Sequence, residues 1–74
     1  MDTVSLIGSR IKSARGFNRM KQADIAAALD VTIQTVSNWE HGRRCPDADT
    51  IRKLSILLNV TSDWLLGLTD ELTH

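Results

Sequence analysis

The segment from residue 22 to residue 42, QADIAAALDVTIQTVSNWEHG, constrains the fold more than any other part of this 74-residue chain. Its first apolar residues have the spacing of one face of a short amphipathic helix: Ile25, Ala26 and Leu29. Asp30 interrupts that pattern, and Thr32 supplies a hydroxyl that can cap a following helix. The segment therefore predicts two short helices, about 22–29 and 33–40, joined by a tight turn.

The second of these helices has an unusual outward face. Val36 and Trp39, spaced i, i+3, turn inward together. An ordinary solvated face would carry Lys and Glu, but the outward positions hold amides, hydroxyls and one aliphatic side chain: Ile33, Gln34, Thr35, Ser37 and Asn38. In the major groove of DNA, amides pair with adenine edges, hydroxyls with several bases and methyl groups with the thymine methyl. We expect these five side chains to contact bases.

The rest of the chain predicts an all-α fold. Ala and Leu recur at helical spacing and β-branched residues do not alternate, which favours helices over strands. The length allows one small domain with a single core. Helices over about 4–16, 48–58 and 62–66 would complete a compact five-helix bundle over residues 1–67, followed by a short tail, 68–74.

Capping residues mark the expected helix ends. Thr3 or Ser5 begins the first helix, and Gly16 and Asn18 suit its end because both tolerate the left-handed conformation. The remaining expected caps are Gly42 after the third helix, Asp47 before the fourth, Thr61 or Ser62 before the fifth and Gly67 after it.

Apolar residues exceed what one small core needs. The expected core comprises Ile7, Ile11, Ala14, Ile25, Ala26, Leu29, Val31, Val36, Trp39, Ile51, Leu54, Leu58, Val60 and Leu65. Leu57 and Leu66 suit either the core or the surface. Four further residues predict a dimer interface, because exposed apolar patches mark association surfaces: Trp64, Leu68, Ile56 and Leu72.

The charges are unevenly distributed although the net charge is zero. Residues 9–44 hold seven basic and three acidic side chains, or +4, whereas residues 45–74 hold two basic and five acidic ones, or −3. Such a polarised molecule can steer one face onto phosphates.

Several function classes are excluded. Cys45 is the single cysteine, so no internal disulfide forms. His41 and Cys45 lie four apart but have no second ligand pair, which falls short of a zinc site. No nucleophile–base arrangement or carboxylate pair indicates catalysis. We therefore expect no enzyme activity, no cofactor and no metal.

Targeting signals are lacking as well. No apolar run approaches the roughly 18 to 20 residues of a membrane span. The sequence MDTVSLIGSR lacks the basic start and long apolar stretch of a signal peptide. A cytoplasmic protein without a membrane partner is expected.

The chain resembles the lambda-repressor/Cro-like (Xre-type) helix-turn-helix family from residue 7 to residue 67. The resemblance lies in IGSRIKSAR (7–15), MKQADIAAALDV (20–31), TIQTVSNWEHG (32–42), Pro46 and IRKLSILLNVTSDWLLG (51–67). It implies a five-helix bundle that binds double-stranded operator DNA, usually as a homodimer.

Position by position, the resemblance assigns roles to individual residues. Gln34, Thr35 and Asn38 would read bases, with Ile33 flanking them and Ser37 at the margin. Gln22 would bind a phosphate while supporting the start of the third helix. Arg15 and Glu40 match a salt bridge that ties the first helix to the third. The other phosphate-binding residues would be Lys21, Thr32, His41, Arg43, Arg44 and Arg19.

The chain departs from the family pattern at three positions. Asp30 and Arg19 stand where the family usually has glycine. Aspartate tolerates positive φ better than most residues, and beside Arg19 we expect Asn18 to take the left-handed conformation. Lys21 replaces a Ser/Thr cap, so the second helix should be weakly capped.

These features predict a transcriptional repressor that binds an inverted repeat, with half-sites about 34 Å apart. The alternative is a protein-binding module, such as an antitoxin that neutralises a toxin and autoregulates its operon. A restriction–modification controller, or a regulator with an antirepressor as protein partner, would look the same in sequence.

Overall fold

The computed structural model describes residues 1–72, which form five α-helices and no strand. The helices are α1 (Thr3–Phe17), α2 (Gln22–Leu29), α3 (Ile33–Glu40), α4 (Ala48–Leu58) and α5 (Ser62–Leu65). The predicted all-α, five-helix architecture is confirmed, and every helix end lies within one residue of its predicted position. Residues 73 and 74, the last two of the predicted tail, lie outside the described residues.

The core is built around α1, which contacts α3, α4 and α5, while α2 packs mainly on α3. Ile7, Ile11 and Ala14 form the buried stripe of α1, at the i, i+4, i+7 spacing of one helix face. Most of the predicted core residues are buried, but Leu29 and Val31 are half-buried at its edge. Leu57 and Leu66, for which the sequence left two alternatives, are half-buried and pack against the core.

The prediction that Trp64 lies in a dimer interface is wrong. Its side chain belongs to the protomer's own core and is only 7% exposed. The short α5 packs against α1 and α4, and the guanidinium of Arg10 covers the indole at 4.7 Å from the ring centroid. A cation over an indole face is favourable and shields the ring from water.

Leu72 also differs from its prediction as a dimer-interface residue, because its side chain is half-buried against the protomer's own core. Its carbonyl accepts a hydrogen bond from the Thr61 N–H at 2.9 Å, which holds the described part of the tail against the helices. Of the four residues predicted to form a dimer interface, Ile56 and Leu68 remain exposed, at 68% and 73%.

The capping residues predicted at both ends of α1 need correction. Asp2, not Thr3 or Ser5, is the N-cap: its carboxylate accepts from the Ser5 N–H at 2.7 Å. At the other end Arg19 adopts the left-handed conformation, with φ of 55°, and Asn18 does not. The Asn18 amide instead donates to the carbonyls of Ala14 and Leu58, at 2.7 and 2.9 Å, and so joins the ends of α1 and α4.

The other predicted caps are in place. Side chains of Thr32, Asp47 and Thr61 accept hydrogen bonds from backbone N–H groups at the starts of α3, α4 and α5. Gly42 and Gly67 follow the ends of α3 and α5 with positive φ. Lys21 has no acceptor atom with which to cap α2, but the Asp24 carboxylate accepts from the Lys21 N–H at 2.7 Å.

A close approach between α1 and α3 fixes the position of α3. The Cα of Gly8 faces the end of α3, where a Cβ would overlap the carbonyl oxygens of Trp39 and Glu40. Both clashing atoms are backbone, so they cannot rotate away as a side chain would. Glycine at this position therefore lets α3 lie directly on α1.

Among residues 1–72, no helix combines the length and apolar character needed to cross a membrane; the longest, α1, has 15 residues.

Candidate nucleic-acid interface

The two faces of α3 have different environments. Val36, Trp39 and Glu40 are buried on the inner face. On the outer face Ile33 is 53% exposed, Gln34 is exposed, and the remaining members are half-buried: Thr35, Ser37 and Asn38. The structure therefore brings all five predicted base-reading residues to the outer side of one helix.

A tight turn and a cap set the start of α3. Asp30 has a left-handed backbone with φ of 56°, as the sequence predicts for the position where the family usually has glycine. The Thr32 hydroxyl then accepts from the Thr35 N–H at 3.1 Å and lies 2.9 Å from the Thr35 hydroxyl. Because the two hydroxyls are hydrogen-bonded to each other, the orientation of Thr35 is tied to the cap.

An ion pair between half-buried Arg15 and buried Glu40 fixes the end of α3. Arg15 Nε and Nη2 donate to the two carboxylate oxygens of Glu40 at 2.7 and 3.1 Å, the bidentate geometry that makes such pairs strong. The Glu40 side chain is 1% exposed, and the hydrogen bond to it raises the pKa of Arg15. Arg15 Nη1 also donates to the Met20 carbonyl at 3.1 Å. The pair implied by the resemblance therefore joins α1, the loop before α2 and the end of α3.

Gln22 completes this network in a way the sequence did not predict. Its Nε2 donates to Glu40 Oε1 at 3.1 Å, so it supports the last residue of α3 and not the first. One Nε2 hydrogen and the amide oxygen are not used in this bond. The half-buried side chain therefore retains both a donor and an acceptor for another partner.

Side chains on the outer face are linked to one another along the helix. Gln34 Nε2 donates to Asn38 Oδ1 at 3.0 Å. His41 Nδ1 lies 2.8 Å from the Ser37 carbonyl and 3.3 Å from the Ser37 hydroxyl. Since a carbonyl can only accept, Nδ1 donates to the Ser37 carbonyl, and Nε2 takes no part in these two contacts.

Basic side chains lie on the loops at both sides of this network. Arg19 and Lys21 precede α2, while Arg43 and Arg44 follow α3, and all four are exposed without an ion pair in the described part of the chain. The Gln22–Glu40 hydrogen bond joins the residues next to Lys21 and His41. This bond holds the start of α2, beside Lys21, against the end of α3, beside His41.

Arg10 belongs to the basic half of the sequence but lies in a different environment. It donates to the carbonyls of Trp64 and Thr69, both at 3.1 Å, and to the carboxylate of Asp70, also at 3.1 Å. These bonds hold it against the tail, so it is not an unpaired cation. No local sequence pattern predicts this contact, because its partners lie 54 to 60 positions away.

Within residues 1–72, no three His, Cys, Asp or Glu side chains are grouped closely enough to hold a metal ion.

Comparison with known proteins decides the family. The profile of the helix-turn-helix family matches residues 11–65, a range that contains α2, the Asp30 turn and α3. The chain belongs to the lambda-repressor/Cro-like helix-turn-helix family. This family comprises DNA-binding transcription regulators and not enzymes, in agreement with the sequence prediction.

Individual relatives agree with this assignment. The HTH-type transcriptional regulator ImmR of Bacillus subtilis (strain 168) is 43% identical over 61 residues, which cover 82% of this chain and 48% of ImmR. The 26 kDa repressor protein of Escherichia phage HK022 is 35% identical over 51 residues, covering 69% of this chain and 22% of that protein. This chain spans about half the length of the first curated relatives it matches.

Among solved structures, the restriction–modification controller protein C.AhdI from Aeromonas hydrophila has the same fold. The TM-score is 0.76 at 22% sequence identity, with 84% of this chain and 94% of that chain covered.

Proposed function

We propose that the domain is the DNA-binding part of a transcriptional repressor that lies with α3 in the major groove of an operator. The observation that carries this proposal is the outer face of α3, an uncharged row of amides, hydroxyls and one aliphatic side chain on a helix fixed at both ends. The names of the matched relatives, a transcriptional regulator and a phage repressor, support the same role.

In this proposal the outer row reads bases and its flanks bind the DNA backbone. Gln34, Thr35 and Asn38 contact base edges, with Ile33 and Ser37 beside them. The phosphate-binding residues are Gln22, Lys21, Thr32, His41, Arg43, Arg44 and Arg19. Neutralising phosphates releases counterions, so log affinity should fall linearly with log salt concentration.

We further propose a homodimer on an inverted repeat, one α3 per half-site and half-sites about one helical turn, or about 34 Å, apart. An apolar groove of ≈ 420 Å³ at α4 and α5 is lined by Ala48, Ile51, Arg52, Ser62 and Leu66. Exposed Ile56 and Leu68 add apolar surface in the same half of the chain. A second copy would cover this surface, as isologous dimers do. Binding to chromosomal DNA would place the protein in the cytoplasm.

A protein-binding role is the second candidate, and a groove between α2 and α4 favours it. This groove of ≈ 430 Å³ is lined by Ala28, Leu29, Asp30, Lys53, Ile56 and Leu57. A toxin or antirepressor could dock there. Ile56→Glu should then abolish capture of that partner while leaving the protein dimeric, whereas the homodimer proposal predicts that it weakens dimerisation and operator binding.

Selection from a randomised double-stranded DNA library tests the proposed function. We expect enrichment of a motif present in two inverted copies, with both copies protected in footprinting, and a protein that sediments as a dimer. Recovery of random sequences, or a flat plot of log affinity against log salt, would contradict it.

A further inference from the structure

Two side chains on the outer face of α3 are joined in a way that affects what they can read. Gln34 and Asn38 lie four residues apart, so they are neighbours on the helix surface. The Gln34 Nε2–Asn38 Oδ1 hydrogen bond of 3.0 Å is the side-chain bond within the base-reading row. Thr35 lies between them but is hydrogen-bonded to Thr32.

We propose, on the basis of the proposed function, that Gln34 and Asn38 read two neighbouring base pairs as one coupled unit. Gln34 takes adenine, and Asn38 takes a base that presents only acceptors in the major groove, guanine or thymine. Asn38 acts in addition as a positioning residue for Gln34.

The assignment of adenine to Gln34 follows from the amide atoms that its hydrogen bond to Asn38 does not use. A glutamine amide has two N–H donors and one acceptor oxygen. Gln34 uses one N–H on Asn38, so its oxygen and its second N–H remain. Adenine presents the complement of that pair, an N6 donor beside the N7 acceptor.

Counting the free donors and acceptors of the Asn38 amide in the same way predicts a different base preference. Its oxygen accepts from Gln34, and both of its N–H donors remain. Donors need acceptors, which guanine supplies at N7 and O6 and thymine at O4. Cytosine and adenine present amino donors there, at N4 and N6, which would face the donors of Asn38, so both should be rejected.

Binding strengthens the coupling between the two amides. In free protein water competes for exposed amides, but water is displaced where the helix enters the groove, and hydrogen bonds gain strength in a low dielectric. A polar group left unpaired in such a dry interface is costly. The two side chains must therefore satisfy each other and their bases together.

The test selects binding sites for five variants from the same randomised double-stranded DNA library as the wild type, the fifth being the double variant Gln34→Ala/Asn38→Ala. Gln34→Ala identifies the base pair that Gln34 reads. Asn38→Asp keeps an oxygen that accepts from Gln34 but removes both donors. Asn38→Ala removes the bond to Gln34. Thr35→Ala is the matched control for the Gln34 base pair: it can change the base that Thr35 itself contacts, but Thr35 bonds to neither amide.

We expect adenine at the Gln34 base pair in the wild type and in Asn38→Asp. At the Asn38 base pair, Asn38→Asp should move the preference from guanine or thymine to cytosine or adenine, by about 5- to 150-fold in relative affinity. Asn38→Ala should weaken the adenine preference at the Gln34 base pair as well as the base preference at the Asn38 base pair. Thr35→Ala should leave the adenine preference at the Gln34 base pair unchanged. The Gln34→Ala/Asn38→Ala cycle should be non-additive.

Three results would overturn the coupled unit while leaving the proposed function intact: a base other than adenine at the Gln34 position, an unchanged adenine preference in Asn38→Ala, or an additive cycle. A wild-type protein that enriches no motif would overturn both proposals. Thermal unfolding of each variant should match the wild type and so exclude loss of fold as the cause.

Discussion

The inner and outer faces of α3 differ in where their polar groups find partners. Glu40 on the inner face is held by Arg15 and Gln22, which come from α1 and α2. Among the side chains of residues 1–72, Gln34 and Asn38 on the outer face bond only to each other. In our proposal, one eight-residue helix is thus divided between stability and recognition. Substitutions on the inner side should change the free energy of unfolding, and those on the outer side should change the choice of DNA.

The largest effect is expected where the inner network is broken. Arg15→Ala leaves the Glu40 carboxylate, 1% exposed, without its guanidinium. Losing one partner of a fully buried pair costs about 3 to 5 kcal/mol, and because Arg15 is itself 20% exposed we expect the lower end of this range. Chemical denaturation should show a loss of this size, while Lys12→Ala, exposed on the same helix, should change stability by less than about 0.5 kcal/mol. A similar, small loss in both variants would refute the structural role of the pair.

A smaller loss is expected where α3 rests on α1. Gly8→Ala drives a Cβ into the backbone carbonyls of Trp39 and Glu40, and overpacking of this kind costs about 1 to 3 kcal/mol. Gly16→Ala is the matched control on the same helix, because nothing lies within 4 Å of its added Cβ. Replacing a helical glycine by alanine should stabilise the protein by about 0.5 to 1 kcal/mol. Equal unfolding midpoints for the two variants would contradict the close approach.

At the flank of the outer face, Arg43→Ala should leave stability unchanged and weaken DNA binding about equally for all sequences. The slope of log affinity against log salt should become shallower by about 1, the contribution of one phosphate contact. Lys53→Ala removes a cation on α4 that is paired with Asp49, and it should leave the slope as it is. If both variants behave alike, the basic loop after α3 is not a phosphate site.

The smallest effect concerns a helix cap remote from both faces. Hydrogen bonds from Thr50 lower the pKa of Asp47 below its ordinary 3.8. A depressed folded-state pKa gives stability that is present above the unfolded-state pKa and is lost as the pH falls through the folded-state pKa. Asp47→Asn keeps a capping oxygen without titrating, so its stability should fall less steeply than that of the wild type below pH 3.8. Identical acid unfolding curves would show that this cap does not contribute.

Local signals explain what could be predicted about the fold. Caps such as Thr32 and Asp47 act on N–H groups within three residues, so a short window contains all the information. The predicted N-cap of α1 is wrong because Asp2 and two nearby hydroxyl residues compete as caps in such a window. The prediction for Trp64 is wrong because α5 has only four residues, too few to fix a helical phase. Arg10, which covers its ring, lies 54 positions away.

The residues of the candidate site could be predicted only where local composition or the family resemblance indicated them. The uncharged composition of residues 33 to 38 is by itself enough to indicate the outer face of α3. The family resemblance supplied the Arg15–Glu40 pair, 25 residues apart, which no periodicity would predict. Neither source indicated that Gln22 supports the end of α3, because that depends on how α2 is placed against Glu40.

The division of α3 into a structural and a reading face is tested most directly by Gln34→Ala, assayed on the selected operator and on random DNA. The account predicts that the ratio of the two dissociation constants falls by about 5- to 150-fold, equivalent to about 1 to 3 kcal/mol, with the free energy of unfolding unchanged. Equal weakening on both DNAs, or a loss of stability that accounts for the weaker binding, would contradict it.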